Sequence, residues 1–378
     1  MANILDWVSL SLVPGLGVTG LRRLVDWFDD PTGVLQASAK ERTQVVGIRS
    51  EALAGLSDAN AVRSRGEKEL ARLAGLGAHA ICLEDQHYPS LLRQTHSPPS
   101  VLYVQGQIEL LGTCCVALVG SRAATSYGRR IASTLARDLA AREVTVVSGL
   151  ALGVDACAHG GALSVSGATI AVLGCGLDVV YPQQNSGLYE QIRNHGLLVT
   201  EYPLGTSPEG FRFPARNRII AGMSYGVVVV EAARKSGSLI TAEFALNEGR
   251  DVFAVPGQVD SFKSGGAHWL LQQGAKLTLS AEDILEELPQ CTGLQGALTG
   301  GVGSGRNPAN LDPELLTLLE LIEPYAMKRD ALIAVAGLPP GRIAEFLLLL
   351  ELEGMVEMLP GDEVRRVGGE REEGNQKV

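Results

Sequence analysis

Hydrophobic positions along the chain follow two different patterns. Between residues 1 and 75, apolar residues such as Leu21, Leu24 and Phe28 recur at the spacing of amphipathic helices. From residue 114 to about 288, continuous apolar runs alternate with helical stretches. Continuous apolar strands between helices indicate a parallel sheet that is covered on both faces. The pattern therefore predicts an α/β fold with an extended, Rossmann-like, doubly wound and mostly parallel sheet.

The second pattern predicts a series of strands, each followed by a helix. The strands are expected at 116–119, 144–147, 169–173, 197–200, 227–230 and 252–255, with a weaker one at 276–279. The helices are expected at 129–141, 153–164, 186–194, 216–224, 238–248 and 265–273. Two shorter strands are expected upstream, at 80–83 and 101–104.

Changes in composition predict the domain boundaries. A helical domain of helix–hairpin–helix type is expected over 1–75 and the Rossmann-like domain over 76–290. A glycine-rich stretch over 291–310 is typical of a flexible linker. Three short helices and a hairpin over 311–367 indicate a winged-helix-like domain, and the polar residues 368–378 are predicted to be disordered.

One motif in the helical domain invites a wrong interpretation. Residues 15–20 match G-x-G-x-x-G, but dinucleotide binding requires a preceding strand and a second strand ending in an acidic residue. Here the helix after the motif stops at Asp29-Asp30-Pro31. We interpret Pro14–Gly17 as a helix–hairpin–helix turn, with a loose echo at 46–48. Such turns either place amides on a DNA phosphate or simply pack helices, and the sequence leaves both open.

Charge directs attention to three segments. The net charge of the 378-residue chain is −10, so nucleic-acid binding requires a local basic site. Segments 120–130, 211–218 and 232–241 contain no Asp or Glu, and each follows a predicted strand. Because the carboxyl ends of parallel strands meet at one edge of a sheet, these segments predict an anion site suited to a phosphodiester backbone. Their cations are Arg122, Arg129, Arg130, Arg212, Arg216, Arg218, Arg234 and Lys235.

Aromatic residues accompany these cations. Tyr181, Tyr202, Phe211 and Phe213 offer faces on which bases could stack, and anchoring a loop or filling the core is the alternative role. In the winged-helix-like domain, the third helix carries Arg342 among several glutamates, which favours protein contacts over DNA reading.

Several kinds of chemistry are excluded or disfavoured. Walker A and G-x-S-x-G motifs are absent, and neither the six cysteines nor the six histidines have metal-ligand spacing, so reduced buried thiols and no zinc are expected. Asp155 and His159 could pair on one helix as acid and base, although capping explains them better. Glu201 and Glu231 end strands and are expected to orient arginines, with catalysis as the alternative. No apolar run is long enough for a membrane span, and a cytoplasmic protein is expected.

Five motifs follow one another in a characteristic order. They are Val119-Gly120-Ser121-Arg122 with Thr125, Ser148-Gly149-Leu150-Ala151-x-Gly153-x-Asp155, Gly174-Cys175-Gly176-Leu177-Asp178 with Tyr181-Pro182, Phe213-Pro214-x-Arg216-Asn217-Arg218, and Ser236-Gly237-Ser238-Leu239-Ile240-Thr241. In this combination, roughly residues 80–290 resemble the DprA/Smf family of bacteria. The resemblance implies a single-stranded DNA-binding protein that protects incoming DNA and loads a RecA-type recombinase on it during natural transformation.

The same resemblance implies partners and site residues. Single-stranded DNA, the recombinase, a single-stranded-DNA-binding protein on the same DNA and a second copy bound through the Rossmann-like domain are the implied partners, with no cofactor, metal, membrane or enzymatic activity. Gly120, Ser121 and Arg122 would hold one phosphate. The residues that would shape the pocket or hold the neighbouring phosphate are Thr125, Arg216, Asn217, Arg218, Arg234, Lys235, Ser236, Gly237, Ser238 and Thr241.

Two positions depart from the family pattern, and two other functions stay open. Leu152 and Gln183 stand where the family often has basic residues, so the width of the basic rim is in doubt. The cleft of a Rossmann-like sheet also suits an enzyme that acts on a nucleotide or phosphosugar. A scaffold whose modules only hold partners is the third possibility.

Overall fold

A computed structural model describes residues 4–291, 318–319, 321–322, 327–352, 356–359 and 363–366. The chain divides into two compact units, residues 1–296 and 297–378. The first unit contains both the predicted helical region and the Rossmann-like region. The predicted linker beyond Cys291, most of the first predicted helix after it and the predicted C-terminal tail lie outside the described residues.

The N-terminal region is helical as predicted. Its turn before α2 places Gly15 at φ +75° and Gly17 at φ +59°, a conformation that favours glycine. No strand occurs among residues 4–75, which agrees with the rejection of dinucleotide binding there. The helices are α1 (Ile4–Ser11), α2 (Gly17–Phe28), α3 (Pro31–Gln36), α4 (Ala39–Arg42), α5 (Ser50–Gly55) and α6 (Ala59–Gly75).

A nine-stranded sheet follows, with the order β1-β2-β6-β5-β4-β3-β7-β8-β9. Only β2 runs against its neighbours β1 and β6, and all other pairs are parallel. Because β4 and β5 lie on one side of β3 while β7 and β8 lie on the other, the strand order reverses between β3 and β7. The strands are β1 (His79–Cys82), β2 (Val101–Gly106), β3 (Cys115–Val119), β4 (Thr145–Ser148), β5 (Thr169–Val172), β6 (Leu197–Thr200), β7 (Gly226–Val229), β8 (Asp251–Ala254) and β9 (Lys276–Leu277).

Helices accompany these strands, and six of them lie close to where the pattern predicted helices, whereas the short helices over 90–93 and 281–285 were not predicted. One of them, α11, begins four residues before the predicted start, because Pro214 is tolerated in a first helical turn where its missing N–H has no partner. The helices are α7 (Ser90–Arg93), α8 (Ser126–Ala140), α9 (Val154–Leu163), α10 (Ser186–His195), α11 (Arg212–Gly222), α12 (Gly237–Asn247), α13 (Gly265–Gln272) and α14 (Ala281–Leu285).

The N-terminal helices share a core with the sheet. Leu10 and Leu24 belong to the same buried cluster as Tyr103 of β2 and Leu198 of β6. Arg63 of α6 forms an ion pair with the fully buried Asp6, with Nε 2.7 Å from Oδ1, and so holds α6 against α1. The helical region and the sheet are therefore one compact unit and not two separate ones.

The second unit has the elements of a winged helix. Its strands β10 (Met327–Lys328), β11 (Val356–Leu359) and β12 (Glu363–Arg366) form an antiparallel sheet with β12 in the middle, and its helices are α15 (Arg329–Ala336) and α16 (Pro340–Leu352). The hairpin was predicted, whereas the two-residue strand β10 was not. On α16, Arg342 donates to Glu345 at 2.9 Å, so at least one of the expected glutamates lies beside this cation.

Two further expectations have structural outcomes. The expectation of reduced cysteines is wrong for Cys114 and Cys291, which form a disulfide with their Cα atoms 5.3 Å apart. Spacing along the chain could not reveal this pair, because 177 positions separate the two residues. Within the described ranges, no single helix has the length and apolar composition to cross a membrane, and one pair passes that test only when joined across a 114° bend.

Candidate nucleic-acid interface

Arg122 lies at the carboxyl end of β3, in the short loop that leads into α8. Its guanidinium carbon is 5.2 Å from the centre of the Phe213 ring, a cation–π distance. The Tyr181 ring stacks on the same Phe213 at 5.3 Å, with 30° between the ring planes. Arg122 and Tyr181 are both exposed, so the stack offers a cation and an aromatic face to a ligand.

A cavity opens beside this stack, which we call the ring cavity. It lies where β3, β4 and β5 end, as expected for a ligand site of an open α/β sheet. Its volume is about 60 Å³, and its apolar walls and two arginines combine a stacking surface with positive charge. The lining residues are Arg122, Gly149, Ala151, Leu152, Leu173, Gly174, Cys175, Tyr181, Pro182, Phe213 and Arg216.

Arg216 contributes to the ring cavity from a buried position. It donates to the Val172 carbonyl and, at 2.9 Å, to the Gly149 carbonyl, which fixes the ends of β4 and β5. Burial lowers the pKa of Arg216 to about 10, against the opposing effect of Asp155. The arginine remains charged at neutral pH, and it organises the cavity more than it offers charge to solvent.

Asp155 and His159 are structural groups and not an acid–base pair. The Asp155 carboxylate accepts from the amides of Gly149 and Ala151 at 3.2 and 3.4 Å, and burial raises its pKa. His159 lies within 2.7 Å of the Thr169 hydroxyl, and burial lowers its pKa to about 3. The capping expectation is wrong for Asp155, because the N-cap of α9 is Gly153 without a side-chain cap and the carboxylate instead holds the loop that precedes the helix.

Two other arginines of segment 211–218 are engaged within the protein. Arg218 forms an ion pair with Glu201 and donates to the Ser97 carbonyl at 2.8 Å. Arg212 is 3.2 Å from Glu209, and its guanidinium also lies over the Tyr202 ring. The prediction that Glu201 orients an arginine is therefore correct, and this pairing places the Arg218 charge against an acid.

Segment 232–241 joins the site through α11 and α12. Asn217 donates to the Gly237 carbonyl at 3.3 Å, which ties the start of α12 to the ring cavity. Ser236 caps α12 and lies 2.8 Å from the Ser238 hydroxyl. Ser238 and Thr241 are buried, whereas Arg234 and Lys235 are exposed. Among the predicted phosphate contacts here, Lys235 and Arg234 present open charges and the other side chains shape the loop.

Glu231 holds the loop between β3 and α8. It accepts hydrogen bonds from the amide and hydroxyl of Thr125, and its carbonyl accepts from the Ser121 amide at 2.7 Å. A Cβ atom on Gly120 would lie 2.6 Å from Val154, so only glycine fits that turn. The expectation that Glu231 orients an arginine is wrong, because the described hydrogen bonds of its carboxylate come from Thr125.

Sequence reasoning missed most walls of the ring cavity. Leu173 lines it and was recognised only as the last residue of a predicted strand, whereas Gly174 and Cys175 line it and were recognised only as part of a motif. Their position directly after a predicted strand was the available signal. Phe213 and Tyr181 were named, and the structure brings them together with Arg122.

The comparisons with known proteins identify a family. Residues 79–289 match the family described as DNA recombination-mediator protein A, and residues 303–362 match the DprA winged helix domain. Protein Smf of Escherichia coli is 41% identical over 306 residues, which cover 79% of this chain and 80% of that protein. The DNA processing protein DprA of Streptococcus pneumoniae is 48% identical over 203 residues, covering 54% of this chain and 72% of that one.

Solved structures show the same architecture. The crystal structure of the S. pneumoniae protein superposes with a TM-score of 0.67 at 36% identity and covers 76% of this chain and 99% of that one. DNA processing protein A of Helicobacter pylori is described as having a unique single-stranded DNA binding mode. Its structure gives a TM-score of 0.52 at 32% identity and covers 56% of this chain and 96% of that one.

The fold and site define the class as a Rossmann-like α/β protein with a cationic, ring-lined cavity at the carboxyl ends of its strands. A family match over more than half of the chain, together with the similarity to Protein Smf, settles the family. The chain belongs to the DprA/Smf family of DNA-processing proteins.

Proposed function

We propose that this protein binds single-stranded DNA along the carboxyl ends of β3, β4 and β5, without sequence-specific readout in the ring cavity. The stack of Arg122, Phe213 and Tyr181 beside that cavity carries the proposal. Every base has a face that can stack on an aromatic ring, and every phosphate is attracted to a cation, so both contacts are independent of the DNA sequence. The single-stranded DNA binding stated for the H. pylori relative supports the same ligand.

The decisive experiment compares Arg122→Ala with the parent in binding a labelled oligo-dT. We expect roughly a tenfold loss of affinity, because a charge-assisted contact contributes about 1.5–3 kcal/mol. Arg193→Ala is the matched control, since Arg193 is also exposed but lies near the end of α10, just before β6 begins, and so at the amino ends of the parallel strands. Equal affinities of Arg122→Ala and the parent would refute the proposal.

We propose further that the bound strand is handed to a RecA-type recombinase. The match to a recombination-mediator family supports this role. Strand exposure can be measured as recombinase ATP hydrolysis on DNA coated with a single-stranded-DNA-binding protein, with and without this protein. We expect the parent to stimulate ATP hydrolysis and Arg122→Ala not to do so. Equal stimulation by both would mean that recombinase loading does not depend on the proposed DNA site.

A homodimer through the Rossmann-like region is also proposed. The terminal strand β9 has one neighbour, and Leu277 at its end and Leu279 just after it are exposed by 48% and 68%. Exposed apolar side chains on an unpaired sheet edge favour association with a second copy. Light scattering should give twice the chain mass for the parent and a monomer for Leu277→Asp with Leu279→Asp. A monomeric parent would contradict the dimer.

We propose no catalytic activity for this site. Its serines support that view, because Ser148 donates to the Leu118 carbonyl at 2.6 Å and Ser236 and Ser238 pair with each other. Nucleophilic serines require a neighbouring base, and these hydroxyls have other partners. Product formation from oligonucleotides or nucleotides by the purified protein would overturn this part of the proposal.

A further inference from the structure

A second cavity lies on the other side of the loop that carries Arg122. Its volume is about 490 Å³, within the range of small-molecule sites. The walls come from the start of α8, the end of β7 and the loop after β8. The lining residues are Thr125, Tyr127, Glu231, Pro256, Gly257, Gln258, Ser261 and Ser264.

The position of this cavity favours a ligand. It lies beyond the carboxyl ends of β3 and β7, the two strands between which the sheet order reverses. Open α/β sheets bind ligands at such switch points. Arg122 of the ring cavity and Thr125 of this one are only three positions apart, so their Cα atoms are at most about 11 Å apart. A single strand in the first cavity therefore passes close to the second.

The chemistry of the walls differs from that of the ring cavity. Glu231 is buried, and among the described residues Thr125 supplies both hydrogen-bond donors to its carboxylate. The amide is shared between Oε1 at 3.1 Å and Oε2 at 3.2 Å, and the hydroxyl donates to Oε2. A carboxylate accepts about four hydrogen bonds, so capacity remains for a ligand. A negative charge here disfavours a phosphate but suits N–H groups of a base. Gln258 supplies an exposed amide that both donates and accepts.

The rim provides what a nucleotide needs outside the base. Tyr127 is 41% exposed and lies under the Arg130 guanidinium at 5.7 Å. Lys263 donates to the Ala123 carbonyl in the loop between the two cavities. Phe262, between the lining residues Ser261 and Ser264, is 80% exposed. Two cations and two aromatic rings thus lie on or next to the residues that line a pocket with a buried acid in its wall.

Guanine matches this arrangement best among the four bases. Its N1–H and N2–H₂ donate side by side, as two carboxylate oxygens require, and its O6 accepts, as an amide donor requires. Thymine has one such N–H, whereas cytosine and adenine place an acceptor beside their amino group. We propose that this second cavity binds a guanine base of the same strand whose neighbouring nucleotides occupy the ring cavity, an inference that rests on the proposed function.

The test uses 12-nucleotide strands of thymidine with one central guanosine, one central inosine or neither. Anisotropy should show that the parent binds the guanosine strand about tenfold tighter than all-thymidine, since a bidentate base contact discriminates by about that factor or more. Inosine lacks the N2 amino group and should fall between the two. Equal affinity for all three strands would overturn the inference.

Variants assign the preference to Glu231. Glu231→Gln should abolish the guanosine preference. The glutamine amide places a donor N–H₂ group where the carboxylate had an acceptor, so it cannot accept from both N–H groups of guanine. Glu243→Gln, which removes an exposed acid of α12, should keep the tenfold preference. Since Glu231→Gln can also loosen the start of α8, Gln258→Ala serves as a second variant with an exposed site, and it should lower the preference severalfold. A preference unchanged in both variants would refute the assignment.

Two further arms separate related explanations. Free dGMP at the strand concentration should not displace the strand, and displacement would mean that the cavity takes a free nucleotide instead. A comparison of the parent with Arg122→Ala in binding the all-thymidine strand tests the ring cavity independently, because this strand contains no guanine. A failed guanosine preference with that binding intact overturns the second site alone.

Discussion

The two arginine-rich segments at the carboxyl edge of the sheet look alike in sequence but differ in the fold. In segment 120–130, Arg122 lies exposed over an aromatic ring, and within the described ranges it forms no ion pair with an acid. In segment 211–218, Arg216 is buried against carbonyls and Arg218 is paired with Glu201. One segment presents charge to a ligand, whereas the other uses charge to hold strand ends together.

This difference separates binding from stability. An exposed cation adds little to folding, because water solvates it nearly as well as the protein does. A buried cation has lost that solvation and stays only where carbonyls and acids surround it. Variants of the two segments should therefore affect different measurements, and the predictions below test that separation from the largest effect to the smallest.

Arg216→Ala should destabilise the protein by about 3–5 kcal/mol, because it removes the buried donor to the Gly149 and Val172 carbonyls and the cation that offsets the buried Asp155 charge. The measurement is urea unfolding at neutral pH. Arg122→Ala should stay within about 0.5 kcal/mol of the parent in the same experiment. Similar unfolding midpoints for the two variants would break the distinction between the segments.

Phe213→Ala should weaken binding of oligo-dT by about 1–3 kcal/mol, the contribution of stacking one base on a ring. It should also remove the support for Arg122, so the double variant with Arg122→Ala should lose less than the sum of the single losses. Anisotropy titrations at one fixed salt concentration give all four affinities. Strict additivity would show that Arg122 and Phe213 act separately.

His159 should make stability fall in acid by up to about 1.4 kcal/mol per pH unit. Its pKa is lowered to about 3 in the fold, so between about pH 6.5 and 3 the unfolded chain binds a proton that the folded chain does not. The folded protein therefore has its full stability with respect to His159 above about pH 6.5 and loses stability as the pH falls below that value. Urea unfolding of the parent and of His159→Gln at pH 7, 6 and 5 measures the slope.

The matched control for that slope is His79→Gln, since His79 is exposed on β1. It should retain the pH dependence of the parent, whereas His159→Gln should flatten it. A parent slope that survives in His159→Gln would assign the acid sensitivity to carboxylates instead.

Lys235→Ala should have the smallest effect on DNA affinity, and that effect should appear in the salt dependence of binding. Loss of one phosphate contact lowers the dependence of log affinity on log salt by about 0.7 for a single strand, equally for any base composition. Titrations of oligo-dT and oligo-dC at several salt concentrations measure this slope. An unchanged slope would place Lys235 off the path of the strand.

Much of the fold could be predicted because its signals are local. Continuous apolar runs such as 116–119 and 227–230 are strands in the structure, and the helices between them are present with small shifts of their ends. The turn at Gly15, the N-terminal helices and the hairpin of the second unit also follow from short-range patterns. The pairing of Cys114 with Cys291 did not, since nothing in the spacing of distant residues records their proximity.

The sequence by itself determined the strand–helix alternation, the family and the loops that reach the site, because hydrophobic periodicity and short motifs depend only on near neighbours. Only the tertiary structure decided which cations are available: Arg122 and Lys235 are exposed, whereas Arg216 and Arg218 are enclosed by groups from other strands. It also placed Glu231 at the floor of a second cavity. The physical reason is that solvation and charge pairing depend on neighbours in space, which the order of residues along the chain does not give.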